Sequence, residues 1–363
     1  MAVRIAHLIY GLALGGLEQL VLQLASRSRE RGIESSIVAL AGPDGPVGDL
    51  ARKQSIDFEL LPSDGMSLSA LMGIRRALEK QGASVLHAHD LGPWLNAVAV
   101  RAVRPRTRVM ATFHEQGTPE GKKRKAAALA ARATDALVAC GDKVRQDILG
   151  WAPSGARVPV IANGVPLDAA SFAPRDIARR EMGIPDGVVA VGYAGGLREI
   201  KGPDKLLEAF LDKFADRGDV HLYLIGAGPM EPSLRAAARG HANVHFTGLI
   251  PGASRLLTAL DVYAQTSLSE GRSLSMLEAM AAGLPTVAHD LLPVREIHAH
   301  EETALLAPLG DRPALGAALQ RLTSDAALRQ RLGHNARERA ARHSIEPMVD
   351  AYASLYRELS ARS

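Results

Sequence analysis

Two α/β domains, each a parallel sheet wrapped by helices, are what this sequence predicts. Three observations carry the prediction. The chain has 363 residues, a length that favours two domains over one. Short apolar runs alternate with segments of helical period from end to end, the pattern of repeated βαβ units. The alternation lapses once, in the turn-rich stretch Asn163-Gly164-Val165-Pro166-Leu167-Asp168 and the aperiodic residues up to Arg175, and then restarts.

The first half reads as a strand over Val3–Tyr10 and a helix over Leu17–Arg31, then strands over Ser35–Ala41 and Phe58–Leu61. A helix over Leu68–Lys80, a strand over Ser84–His87 and a helix over Pro93–Val103 follow. Arg108–Phe113 is a strand, Lys122–Thr134 a helix, and Ala136–Ala139 and Val158–Ile161 are strands. The opening apolar run is broken by Gly15, Gly16 and Glu18, so it reads as a strand, a glycine turn and a helix rather than as a secretory leader.

The second half opens with a strand over Val188–Ala194 and a helix over Asp204–Phe214. Strands over Val220–Ile225, Val244–Thr247 and Val262–Gln265 alternate with helices over Glu231–Ala238 and Ala253–Ala259. The segment after Ser269 supplies a helix, Thr286–Ala288 a strand, and Pro313–Arg342 a long helical stretch. Pro347–Ser360 is an amphipathic helix with Met348, Ala351, Leu355 and Leu359 on one face. The domains are therefore expected at 1–167 and 168–345, with a C-terminal helix at 346–363.

Composition excludes several classes. The formal charge of +4 is too weak a basic bias to argue for nucleic acid. Cys140 is the only cysteine, so no intrachain disulfide can form, which fits a reducing cytoplasm. No apolar run is long enough to span a bilayer, so any membrane contact is expected to be peripheral. The basic run Lys122-Lys123-Arg124-Lys125 is either solvated helix charge or a patch for anionic headgroups or a lipid-diphosphate acceptor.

Ligands of open α/β sheets bind beyond the carboxyl ends of the strands. In Ser269–Asp290, SEGRSLSMLEAMAAGLPTVAHD, Glu278 fits a capping box with Ser275, and Ser273 is a competing N-cap. Capping does not explain Glu270-Gly271 just upstream. A carboxylate there can accept from sugar hydroxyls, and N–H groups at Ser273 and Leu274 favour an anion. Gly16 opens a helix after the first strand, which suits close approach by phosphate or simply a tight turn. His87-Ala88-His89 admits a metal reading, although no further ligand cluster is evident. His114, Arg198 and Glu296 read equally as solvated loop charges.

Taken together these segments resemble the retaining glycosyltransferases of family GT4, which have the GT-B fold. The resemblance covers nearly the whole chain. It rests on Glu270 and Glu278 at E-x7-E spacing, on Leu277–Pro285, on Gly15-Gly16-Leu17-Glu18 and on His87-Ala88-His89-Asp90. It also rests on His114, Asn163-Gly164-Val165, Gly195-Gly196-Leu197 with Lys201-Gly202, Gly226-Ala227-Gly228-Pro229 and Glu296. Arg272 and Ser273 replace the usual Phe and Gly, and Gly196 stands where an arginine is usual.

The resemblance implies two Rossmann-like domains facing each other across a cleft, with the C-terminal helix returning to the first. It implies a metal-independent enzyme that moves a sugar from a nucleotide-diphosphate sugar to an acceptor hydroxyl, sugar or lipid-linked, in polysaccharide or glycoconjugate synthesis. Glu278 would take the ribose hydroxyls and Lys201 the diphosphate, aided by Arg198 in place of the missing arginine and by Gly16, Ser273 and Leu274. Glu270 and His114 would orient the donor sugar. The protein would be cytoplasmic, peripheral at the inner membrane surface through Lys122–Lys125. A sugar-nucleotide epimerase and a silent nucleotide-sugar-binding protein are the alternatives.

Overall fold

The computed structural model describes residues 3–13, 15–42, 44–61, 66–168 and 171–362. Within them the chain forms two compact units, 1–163 with 346–363, and 164–345.

The first unit opens with β1 (Val3–Ile9), α1 (Gly16–Ser28), β2 (Ile33–Ala39), α2 (Pro46–Lys53), β3 (Phe58–Leu60) and α3 (Leu68–Gln81). It continues with β4 (Val85–His89), α4 (Leu91–Val100), β5 (Arg108–Phe113), α5 (Gly121–Arg132), β6 (Ala136–Ala139) and α6 (Asp142–Leu149). The six strands are parallel, in the order β3-β2-β1-β4-β5-β6. Alternation along β1 and β4 divides the sheet's two faces. Ala6, Leu8, Leu86 and Ala88 enter an apolar core with Ile74, Leu78, Trp94 and Ala97 of α3 and α4. His7, His87 and His89 take the other face, with His7 in register with His87.

The second unit runs α7 (Arg175–Glu181), β7 (Val189–Ala194), α8 (Pro203–Phe214), β8 (Val220–Ile225), α9 (Glu231–Ala237), β9 (Val244–Gly248) and β10 (Val262–Gln265). After these come α10 (Leu274–Ala281), β11 (Thr286–His289), α11 (Leu292–Ile297), β12 (Ala304–Ala307), α12 (Arg312–Ser324) and α13 (Ala326–Ala340). Its parallel order, β12-β11-β10-β7-β8-β9, is the same topology read from the other edge. In such sheets the strand order reverses at one point, and ligands bind there. That point is β1/β4 in the first unit and β7/β10 in the second.

The last helix, α14 (Ile345–Ala361), packs on the first unit's sheet. Its buried face is Ile345, Met348, Val349, Tyr352, Tyr356 and Leu359, whereas Ala351 is exposed and Leu355 half-buried. The expected stripe was therefore displaced toward the tyrosines. Their rings are buried because their hydroxyls find partners: Tyr356 lies 2.7 Å from His87 Nδ1 and Tyr352 3.0 Å from Thr112 Oγ1.

Other departures have local causes. The stretch 158–161 forms a single bridge, Ala139 to Val160, rather than a strand. Pro159 lacks the N–H a ladder needs, so only its carbonyl pairs, accepting from Ala139. The expected helix over 313–342 breaks at Asp325, whose carboxylate caps α13 by accepting from Leu328 N–H at 2.9 Å. Residues 253–259 form a 3-10 helix. Elements α2, α6, α7, α11 and β12 were not foreseen.

Candidate functional site

In the second unit the site is built from the loops that follow β7 and β10. Lys201 ends a 3-10 turn over Glu199–Lys201, and Gly202 (φ +59°) turns the chain into α8. A Cβ on Gly202 would strike the Thr266 carbonyl, so glycine is required for the two loops to pack. That packing brings Lys201 to Glu270. The ammonium donates to both carboxylate oxygens at 2.9 Å. Glu270 is buried at 5% exposure, and its Oε1 also accepts from Gln265 Nε2 and Ser267 Oγ, each at 2.6 Å. Oε2 accepts from Lys201 alone among the described contacts, which leaves it acceptor capacity.

Gln265 links this pair to the next helix. Its Oε1 accepts from Ser273 Oγ and from Tyr263 OH, both at 3.0 Å. Ser273 is the N-cap of α10, accepting from Met276 N–H at 3.3 Å. Ser275, the other capping candidate, instead meets Tyr263 OH at 2.9 Å. Leu274 is the first residue of α10, so its N–H points out of the helix start.

Glu278, on the second turn of α10, has no capping role. Its carboxyl has no hydrogen-bond or ion-pair partner among the described residues, and burial pushes its pKa up to about 7. Arg198 is exposed, and its side chain makes no hydrogen bond or ion pair among the described residues. Its Nε lies 3.6 Å from the position a Cβ on Gly196 would take. The Arg198 side chain therefore runs alongside Gly196. Arg272 does not face a ligand in this way. It is buried at 8% exposure, donates to His343 Nδ1 at 2.8 Å and lies 3.6 Å from Glu296, so the Glu296 charge is partnered inside the unit.

In the first unit Gly16 begins α1, and the Glu18 side chain folds back over Gly15 at the same helix start. His114 follows β5. Its backbone N–H donates to Asp90 Oδ1 at 2.7 Å, and its Nε2 lies 3.0 Å from His89 Nδ1. Asp90 has φ +64° and ψ 177°, a region that is essentially glycine's. Burial pushes its carboxyl up to about 6. Strain and desolvation at one residue beside the β1/β4 reversal mark it as part of the site, although it was quoted in the sequence without a role. Gln265, Tyr263 and His7 were missed as well. The basic residues Lys122, Lys123, Arg124 and Lys125 are exposed at the start of α5, in the first unit.

A cavity of about 820 Å³ lies elsewhere in the second unit, lined by Phe172, Leu260 and Pro285 among others. Among its lining residues Arg175, Arg329 and Arg337 donate to backbone carbonyls, so these cations do not converge on the cavity.

These features define a two-unit α/β protein with a polar, charge-paired cluster of side chains at a sheet's switch point. Residues 14–169 match the family described as Glycosyltransferase Family 4, and residues 189–325 the family described as Glycosyl transferases group 1. A phosphatidyl-myo-inositol mannosyltransferase of Mycobacterium leprae is 29% identical over 333 residues, 87% of this chain and 86% of that protein. A D-inositol 3-phosphate glycosyltransferase of Geodermatophilus obscurus is 29% identical over 79% of this chain and 65% of that one. Sucrose-phosphate synthase from Thermosynechococcus elongatus superposes with a TM-score of 0.82 at 22% identity, over 99% of this chain and 100% of that one. Anabaena HepE, solved with UDP-glucose, superposes at 0.81 and 19% identity over 98% and 99%. The chain is a glycosyltransferase with the GT-B fold, similar to family 4 over its first unit and to group 1 transferases over its second. The matches favour neither an epimerase nor a silent binding protein.

Proposed function

We propose that the enzyme is a metal-independent, retaining glycosyltransferase in which the second unit binds a nucleotide-diphosphate sugar. The observation that carries this reading is Glu278: a carboxyl desolvated to a pKa of about 7 with no partner of its own suits a ligand that brings a pair of hydroxyls. Lys201 takes the diphosphate, with Arg198 as the second cation and the Ser273, Leu274 and Gly16 N–H groups in support. Glu270, through its free acceptor capacity, and His114 orient the sugar. Lysine and arginine do the charge neutralisation that a metal supplies elsewhere, so EDTA should leave activity unchanged.

Retention follows if the acceptor attacks from the leaving group's side and a phosphate oxygen assists its deprotonation. Glu270 is poorly placed to act as a base, because its carboxylate already accepts from Lys201, Gln265 and Ser267. NMR of the product anomer tests this; inversion overturns it.

The acceptor is a lipid-linked or soluble sugar. Lys122, Lys123 and Arg124 sit in the first turn of α5, where the helix dipole favours anions, and Lys125 follows, with Leu129 exposed at 68% nearby. A cost of that kind fits a patch that meets anionic headgroups, at the cytoplasmic face of a membrane. Loss of this patch should abolish co-sedimentation with anionic vesicles.

The deciding experiment is thermal shift with UDP, GDP, ADP and their sugars on wild type and Glu278→Ala. One base should stabilise wild type and not the variant, by about 2.7 kcal/mol at a hundred times its Kd. No response to any nucleotide, or an equal response from both proteins, overturns the assignment.

A further inference from the structure

Gln265 closes β10 with a side-chain amide buried at 4% exposure. It is bonded to both parts of the second unit that the reading above gives to the diphosphate, the Lys201–Glu270 pair and the start of α10. Its Nε2 donates to Glu270 Oε1 at 2.6 Å and lies 3.3 Å from Ser267 Oγ. Its Oε1 accepts from Ser273 Oγ, the N-cap of α10, and from Tyr263 OH, both at 3.0 Å.

The amide has one workable orientation. Turned over, its oxygen would face Glu270 Oε1, which already accepts from Lys201, and two acceptors would meet in a buried place. Glu270 therefore sets which way the amide points. The Ser273 hydroxyl then uses both of its roles, donating to Gln265 and accepting from Met276 N–H at 3.3 Å. One side chain thus joins the ion pair to the helix cap.

The Lys201 backbone does not depend on this amide. Leu268 N–H donates to Ile200 O at 2.9 Å before it, and Thr266 Oγ1 to Gly202 O at 2.7 Å after it. Those contacts leave open the direction of the ammonium, which ends a flexible four-carbon stem. Glu270 takes two of its three N–H donors, so the place of Glu270 sets where the third one points. The Lys201 side chain keeps 29% exposure, so a ligand can reach it.

We propose that Gln265 is a positioning residue that ties the Glu270–Lys201 pair to the N-cap of α10, so that the lysine ammonium and the N–H groups of the helix start hold one diphosphate together. This rests on the reading of Lys201 and α10 as the diphosphate site. Gln265 acts through Glu270 and Ser273 and touches no ligand itself. The consequence is selectivity by phosphate number, since a diphosphate can engage both groups at once and a monophosphate has one phosphate to place.

The test is calorimetry on the full-length protein with UDP, GDP and ADP, each set against its monophosphate. For the base that wild type accepts, the diphosphate should bind more tightly. Gln265→Leu, close in volume, should weaken the diphosphate about tenfold and the monophosphate by less than about twofold, because small displacements of a binding group carry costs of this size. Gln265→Glu is the second variant. Protonated, its carboxyl donates to Glu270 and accepts from Ser273 as the amide does; ionised, it faces Glu270 as a like charge. Its diphosphate Kd, divided by that of wild type at the same pH, should be close to one at pH 6 and rise about tenfold toward pH 9. The division cancels the titration of the groups that both proteins share around this side chain: Lys201, Glu270, Tyr263, Tyr193 and Glu278, with His289 behind the Ser267 carbonyl.

Equal weakening of both ligands in Gln265→Leu, or weakening of neither, overturns the proposal. A ratio for Gln265→Glu that does not move with pH overturns it too, and serves if the leucine variant fails to fold. A wild type that binds monophosphate and diphosphate alike overturns the diphosphate reading itself, and the proposal with it.

Discussion

Asp90 holds two costs at once, a glycine-like backbone and a carboxyl that burial pushes from its ordinary 3.8 to about 6. Between those two values the folded protein keeps a proton that the unfolded chain releases, so stability falls as pH rises through the window. Asp90→Asn keeps the acceptor for His114 N–H and removes the charge. It should be more stable than wild type at pH 8, with the difference gone by pH 4, as read from urea midpoints. Glu278 makes the parallel prediction for binding. Ribose hydroxyls donate to the ionised carboxylate, and a carboxyl with a pKa of about 7 must lose a proton before it can accept both. The Kd for a nucleotide sugar should rise as pH falls from 8 to 6, by up to about tenfold per unit below 7, and Glu278→Gln should flatten the curve. Calorimetry across that range decides it. Glu270, Glu278 and Lys201 could be named as candidates from the sequence because they lie within two short segments, and the structure pairs Lys201 with Glu270. Gln265, Asp90 and His7 could not. Their importance lies in a contact or a backbone angle, such as the His7–His89 pair 82 positions apart, that no local pattern announces.

At the scale of elements the alternation of strands and helices was readable, because each buried strand is a short apolar run bounded by turns. Failures came where a side chain could belong to either class. Tyr352 and Tyr356 of α14 are apolar bodies with polar tips, and the helix stripe shifts by one residue according to how they are counted. The network explains which count wins. His87 Nδ1 depends on Tyr356 alone, whereas Thr112 Oγ1 has both Tyr352 and His87 Nε2 for partners. Tyr356→Phe should therefore strand a buried imidazole nitrogen and cost about 1–3 kcal/mol, and Tyr352→Phe about 0.5–1.5 kcal/mol. Urea unfolding of the two variants would show the asymmetry; equal losses would mean that packing, not hydrogen bonding, holds α14 to the sheet.

Across the whole molecule the two units share one strand order, but they are not equally self-sufficient. The second unit closes its cores with its own helices, Met276, Leu277 and Met280 on one side and Phe210, Phe214, Leu315 and Leu319 on the other. The first unit covers the polar face of its sheet with α14, supplied from the far end of the chain. Arg27 and Arg31 of the first unit pair with Glu346, and Arg31 with Asp350 at 2.9 Å, so the helix is tethered at its start as well as seated along its length. Deleting 346–363 would uncover Val349's and Met348's apolar seats and strand His87 Nδ1 in the same step. The loss should not be shared evenly. Amide exchange of the truncated chain should show β1, β4 and β5 deprotected, while β7, β8 and β10 retain wild-type protection. Uniform loss in both units would mean that the chain unfolds as one cooperative body. Unchanged protection in β4 would mean that the histidine row is stable without its cover.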